Sequence, residues 1–195
     1  GSANDQRICG CGEPGAASIY FDVRALAGNA ALVAPLRERI TQRARELPRF
    51  RKQLADNARH MKPALNWRGA LDATVEGDAA WIDLKMGGTA VFVDAARLFA
   101  LAGGVAVTGT RERLLLSAAA RAQRADEADE AETQAGAFEV LQMLRLRQQV
   151  RTDADAREPN RVDIHRLSAI DRRLLKEALR VARELQQRIE LDYPG

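Results

Sequence analysis

Between Thr89 and Ala102 the chain reads TAVFVDAARLFALA, apolar around almost the whole circumference of a helix and interrupted only by Asp94 and Arg97. A helix without a polar face cannot lie on a surface in water; it has to be enclosed by other helices or by lipid. At roughly fourteen residues the stretch falls short of the ~20 that cross a bilayer, and it carries two charges. The fold is therefore expected to form around it, as the central helix of a soluble bundle. Asp94 and Arg97 stand three residues apart, so they share one helix face and cut a single polar notch into it. Gly103-Gly104 follows as a stop signal of the kind that ends helices.

The rest of the composition agrees with a helical chain. Aromatic residues make up only 5%, so the core has to come from Leu, Val, Ile and Ala. Ala, Leu and the abundant Arg all favour helix. The expected class is all-α (mainly): an up-down bundle of about five to six helices, with a small β-hairpin between the second and third. One domain over residues 19–195 is the natural division, because a chain this long buries about 70% of its unfolded surface. Residues 1–18 are Gly-rich and aperiodic, and Gly1-Ser2 has the look of a cloning remnant. They are expected to be a disordered or cloning-derived tail ahead of a piece cut from a longer protein.

Individual elements follow from local signals. Ile19 to Val23 is a short apolar run, expected to lie extended against the core. Asn29 can cap a helix reaching about Leu47, in which Pro35 marks either a kink or the true first turn. Phe50, Leu54, Ala58 and Met61 make one stripe on a second helix. Ala70 to Val75 and Ala79 to Leu84 flank Glu76-Gly77-Asp78 as a hairpin. Further helices are expected from Arg111 to about Arg124 and from Asp126 to Arg151, the latter interior in its second half, with a loop from Thr152 to Arg161. Ser168 and Asp171 fit a capping box, with Leu167 as its hydrophobic staple. A stripe of Ile170, Leu174, Ala178, Val181, Leu185 and Ile189 then defines the last helix.

Charge excludes little. The net charge is +3, too small to argue for nucleic acid by itself. Leu36 to Lys62 is locally basic and Asp126 to Glu132 acidic, the pattern of solvated helix faces; RNA or anion binding through the basic stretch is a weaker option. Cys9-x-Cys11, with His60 and His165 far away in sequence, makes neither a disulfide framework nor a convincing metal site. No signal peptide is apparent, so the cytoplasm is the expected location.

No phosphate-binding or nucleophile motif stands in the chain. Gly87-Gly88 and Gly103-Gly104 lack the strand–loop–helix setting of a phosphate loop and read as helix termini. What remains are polar residues in apolar surroundings. Asp83 and Lys85 flank Leu84 at the hairpin's end, Asp94 and Arg97 form the notch, and Arg145, Arg147 and Gln148 interrupt an interior helix. Buried charges need partners or water. These residues therefore either lock helices together or line a cleft shared with another domain.

At these positions a family resemblance appears. Ile82-Asp83-Leu84-Lys85, Gly87-Gly88, Asp94, Arg97 and Leu98 are followed by Thr110-Arg111-Glu112-Arg113-Leu114, Phe138 to Gln149, and Leu167 to Leu179. From Ile19 to Tyr193 the order of motifs resembles the putative nucleotidyltransferase substrate-binding domain family. Those domains end bacterial proteins that carry cyclic-nucleotide-binding and CBS modules and a transferase domain similar to that of PII-protein uridylyltransferase.

The resemblance implies a non-catalytic helical domain packed against an upstream catalytic domain. A PII-like protein or a small nucleotide is then the implied acceptor. Mg²⁺ and a nucleoside triphosphate are expected for the parent protein, held by a Gly-Ser turn and an Asp-x-Asp pair. This chain offers Gly1-Ser2 only in its tail and Asp153-Ala154-Asp155 only in a loop, so no cofactor is expected here. The alternative is a regulatory or dimerisation module that touches no substrate. Membrane contact is not expected.

Overall fold

The computed structural model describes residues 19–121, 126–151 and 158–194. Residues 1–18, with Cys9 and Cys11, and the Asp153–Asp155 pair lie outside the described residues. Among the described residues, six α-helices run in the order α1 (Val33–Glu46), α2 (Pro48–His60), α3 (Ala90–Gly103), α4 (Thr110–Arg121), α5 (Asp126–Val150) and α6 (Ala169–Asp192). Three strands, β1 (Thr74–Glu76), β2 (Ala79–Asp83) and β3 (Arg161–Asp163), form one antiparallel sheet in that order. The mainly helical fold holds, and the hairpin lies between the second and third helices.

The apolar stretch is the centre of the bundle. α3 packs against α1, α2, α4 and α6. Phe92, Ala95, Ala96, Leu98 and Ala100 are wholly enclosed. Its length corrects the expectation: a π turn, Lys85–Thr89, runs directly into α3. The combined helix, Lys85–Gly103, has 19 residues and is long and apolar enough to cross a membrane by composition, yet most of it is covered inside the fold. Gly87 and Gly88 lie in that π turn. A β-carbon on Gly87 would stand 3.0 Å from the Ala64 β-carbon, and Ala64 donates its N–H to the Gly87 carbonyl at 2.9 Å. The glycine lets two backbones meet. Gly104 ends α3 in the left-handed conformation, φ 75°, which a residue without a β-carbon adopts at little cost.

Several local readings hold. Asn29 accepts the Ala31 N–H, but it caps a short 3-10 turn (Ala30–Leu32) that leads into α1. Pro35 sits in the first turn of α1, where its missing N–H leaves nothing unpaired. Ser168 accepts the Asp171 N–H at 3.0 Å, as the N-cap reading expects, but the Asp171 carboxylate takes the Ser168 hydroxyl at 2.9 Å in place of the backbone N–H that a capping box uses.

Other readings are corrected. Ile19–Asp22 is a 3-10 turn rather than an extended run. β3 begins at Arg161, the last residue of the expected loop, and runs beyond it where no strand was expected; three residues are too few to display an alternating pattern. In α6 the buried positions are Leu175, Ala178, Leu179, Ala182, Leu185, Gln186 and Ile189, whereas Ile170 is 74% exposed. Strict steps of four drift around a helix, so Ile170 lies about 80° away from Ala178. The staple fails too, because the position expected to meet Leu167 is Arg172, which donates to the Ile164 carbonyl at 3.0 Å. The interior part of α5 ends near Leu144, beyond which Leu146 and Val150 face solvent.

Candidate functional site

The notch in α3 is filled by the chain's own Ile19–Asp22 turn. Arg97 donates from Nη2 to one Asp22 oxygen at 2.6 Å and from Nη1 to Asp94 at 3.2 Å. Arg113, from α4, donates Nη1 to the other Asp22 oxygen at 2.6 Å. Its Nε and Nη2 reach the carbonyls of Val107 and Phe21 at 2.8 and 3.0 Å. Arg37 of α1 adds a 2.8 Å bond to the Val23 carbonyl. Three arginines from three helices thus hold Phe21–Val23 against the bundle. Both Arg97 and Arg113 are buried, their side chains 9% and 4% exposed.

Burial sets the electrostatics here. It raises the Asp94 pKa above the ordinary aspartate value, Arg97 opposes the rise, and the Asp22 carboxylate adds to it. Burial likewise lowers the Arg113 pKa against the attraction of Asp22. Because the folded protein holds the Asp94 proton more tightly than the unfolded chain, this group stabilises the fold at low pH. Its contribution is lost as pH rises from the ordinary aspartate range through the raised value. Asp94→Asn is therefore expected to change stability at neutral pH by less than about 1 kcal/mol, since the lost attraction to Arg97 is offset by the relieved burial of charge. The same variant should flatten the fall in stability across that acidic window. Urea unfolding at a series of pH values checks both; a variant as steep as the wild type would refute the assignment.

The remaining sequence candidates lie at the other end of the helix. Asp83 accepts the N–H groups of Lys85 and Met86 at 2.7 and 2.9 Å, and so caps the π turn. Lys85 is exposed. Leu84 donates its N–H to the Asn160 carbonyl at 2.9 Å. The Asn160 side chain in turn accepts from Arg145 Nε at 2.7 Å and Gln149 Nε2 at 3.2 Å. Arg147 points elsewhere, to Asp171 at the start of α6, 3.2 Å away. Lys85 precedes Asp94 by nine residues, roughly 13 Å along the helix axis. The candidates therefore fall into separate places, not one cleft.

Beside this junction is a pocket of about 240 Å³, framed by Trp81, Gln148, Arg151, Arg161 and Arg166 with Glu76, Glu158 and Asp163. Trp81 reaches it because alternate β2 residues, Ala80 and Ile82, turn into the core. The Arg161 guanidinium stands 5.1 Å from the Trp81 ring centroid and pairs with Glu76 at 2.7 Å and with Glu158. Asp163 secures the floor by accepting the N–H groups of Ala80 and His165 at 3.2 and 3.0 Å. Burial alone would raise the Asp163 pKa, but these bonds and the nearby His165 and Arg166 hold it below the ordinary value. Gln148 of α5 and Arg151, one residue past its end, line the pocket, and α5 packs against β3.

Sequence reasoning named Gln148 here and missed Trp81, Arg151, Arg161 and Arg166. It also missed Asp22 and Arg113 at the notch. Trp81 carried one usable signal, its place on the polar side of an alternating strand. Among the described residues, no group of three acidic, His or Cys side chains is arranged to hold a metal ion.

Fold and site together define the class: a mainly helical domain that carries a small sheet and a polar pocket at its edge. The comparisons give the family. The family model for the putative nucleotidyltransferase substrate binding domain matches residues 48–193, and the chain belongs to that family. No curated protein and no solved structure gives a significant match. The match begins at Pro48, so the Asp22 turn and α1 lie upstream of it, whereas Arg97 and Arg113 lie within it.

Proposed function

We propose that this chain is the non-catalytic, substrate-holding wall of a bacterial nucleotidyltransferase and packs against an upstream catalytic domain. The observation that carries the reading is the pocket at Trp81. At about 240 Å³ it is smaller than the ~300–1,000 Å³ of a self-sufficient ligand site. It suits one ring or one phosphoryl group of a ligand whose remainder is held from outside. Trp81 offers a face for a base, while Arg151 and Arg166 offer cations to phosphate beside Arg161, which holds Glu76 and Glu158. Mg²⁺ and the triphosphate then belong to the catalytic domain, and a nucleotide or a PII-like protein is the acceptor.

The test has two arms. The chain alone is expected to transfer no label from UTP or ATP to a PII-like protein; transfer would overturn the non-catalytic reading. In the full-length protein, Gln148→Ala and Arg166→Ala are expected to raise KM for the acceptor by about tenfold, the loss of one charge-assisted contact, with the melting temperature unchanged. Unaltered kinetics in both variants would remove the pocket from the substrate path.

A regulatory or dimerisation module is the second reading, and one observation favours it. Leu146 and Val150 of α5 and Ile170 and Leu174 of α6 are exposed on either side of the Arg147–Asp171 pair. Apolar side chains gathered around an inter-helix link are a feature of docking surfaces.

A further inference from the structure

We propose that Arg97 and Arg113 form a binding site for a phosphate group, and that Asp22 occupies it from within the chain. Two buried guanidinium groups, carried by different helices, each give one N–H to a separate oxygen of the same carboxylate at 2.6 Å. That is recognition of one oxyanion by two cations, each through a single charge-assisted bond of the kind arginine gives to carboxylate and phosphate alike. The anion comes from outside the α-helices. It arrives on a single 3-10 turn, Ile19–Asp22, and its side chain stays 37% exposed.

The family match sharpens the point. Both arginines lie within residues 48–193, while Asp22 lies outside them. Inside the matched part, Asp94 serves Arg97, but among the described residues the carboxylate paired with Arg113 is Asp22 alone. A buried guanidinium needs a counter-ion, so the matched domain carries a cationic socket that a neighbouring segment fills. A phosphate group has more negative charge than a carboxylate and a third oxygen for the Arg97–Arg113 pair. It competes with Asp22 and releases the Phe21–Val23 segment from Arg113. Ligand at this socket is thereby read out as freedom of the chain ahead of α1, well apart from the Trp81 pocket.

The experiment uses the wild-type chain and hydrogen exchange followed by mass spectrometry. Inorganic phosphate is compared with chloride at equal ionic strength, and UTP is compared separately to distinguish free phosphate from a nucleotide's phosphoryl groups. Exchange across residues 21–24 is expected to become about tenfold faster in at least one of the two, with the core of α3 unchanged. No change in either overturns the proposal. A second measurement uses Asp22→Asn, whose melting temperature should rise saturably with the effective anion. The rise should be absent in Asp22→Asn/Arg113→Gln. A rise that persists in the double variant marks an adventitious ion only and also overturns the proposal. If Asp22→Asn folds only in the presence of the anion, that dependence supports it.

Discussion

Replacing Asp22 by alanine is expected to lower the unfolding free energy by about 3 kcal/mol in chloride buffer, at the low end of what breaking a buried ion pair costs. The carboxylate joins two arginines that are nine-tenths buried, so its removal leaves cationic charge in the interior. Arg97 keeps Asp94, and Arg113 keeps the Val107 carbonyl. Those bonds, and water entering where Asp22 was partly exposed, hold the loss to the lower figure. The same logic predicts partial recovery on a second change. In the Asp22→Ala background, Arg113→Met removes the orphaned charge while retaining most of the apolar stem, but it also strips the Val107 and Phe21 carbonyls of their donor, so it should restore less than half of the loss. Urea unfolding of the two variants measures both effects. A fall below about 1 kcal/mol in the single variant would mean that the arginines are solvated in place and that the notch is not a lock.

This ion cluster shows where sequence reading stops. Asp94 and Arg97 were legible as a notch because their spacing of three puts them on one face of an otherwise apolar helix. Their decisive partner was not, since Asp22 lies 75 residues from Arg97 and 91 from Arg113. No periodicity encodes a contact of that range. The central helix and the Ser168 cap were legible because both are local: one rests on hydrophobic pattern, the other on a hydroxyl three residues from a carboxylate. The Trp81 pocket was half legible. Gln148 stood out as a polar residue in an apolar helix, but β3 is too short to announce itself, and without β3 nothing places Arg161 beside Trp81. Ile170 and Leu174 misled for a different reason. They continue an i+4 row whose inner member Ala178 is buried, but each step of four turns about 40° past the face, and the crossing of α6 over its neighbours decides where that drift leaves the core.

Gln186→Leu is expected to cost about 2–3 kcal/mol, although it exchanges a buried polar side chain for an apolar one of similar volume. Gln186 lies on α6 and is 9% exposed. Its amide donates to the carbonyls of Arg59 and Met61 at 3.1 and 2.7 Å. The Arg59 carbonyl belongs to the last turn of α2 and has no partner within the helix, and Met61 is already extended. Leucine would take the Gln186 donor from both oxygens in this half-buried contact, each at about 1–3 kcal/mol, against a smaller gain from the apolar side chain. Gln186→Glu separates hydrogen bonding from packing. Its carboxylate faces two carbonyl oxygens and repels both when ionised, but donates to one when protonated. The glutamate variant should therefore recover part of its stability as pH falls, whereas the leucine variant should show no such recovery relative to wild type. The effect should also reach beyond α2. Met61 leads through Ala64, which is tied to Gly87, into the strands that carry Trp81. Loosening the end of α2 is thus expected to speed hydrogen exchange at Ala64 as well as in α2, and exchange confined to the α2 terminus would show that Gln186 supports the helix alone.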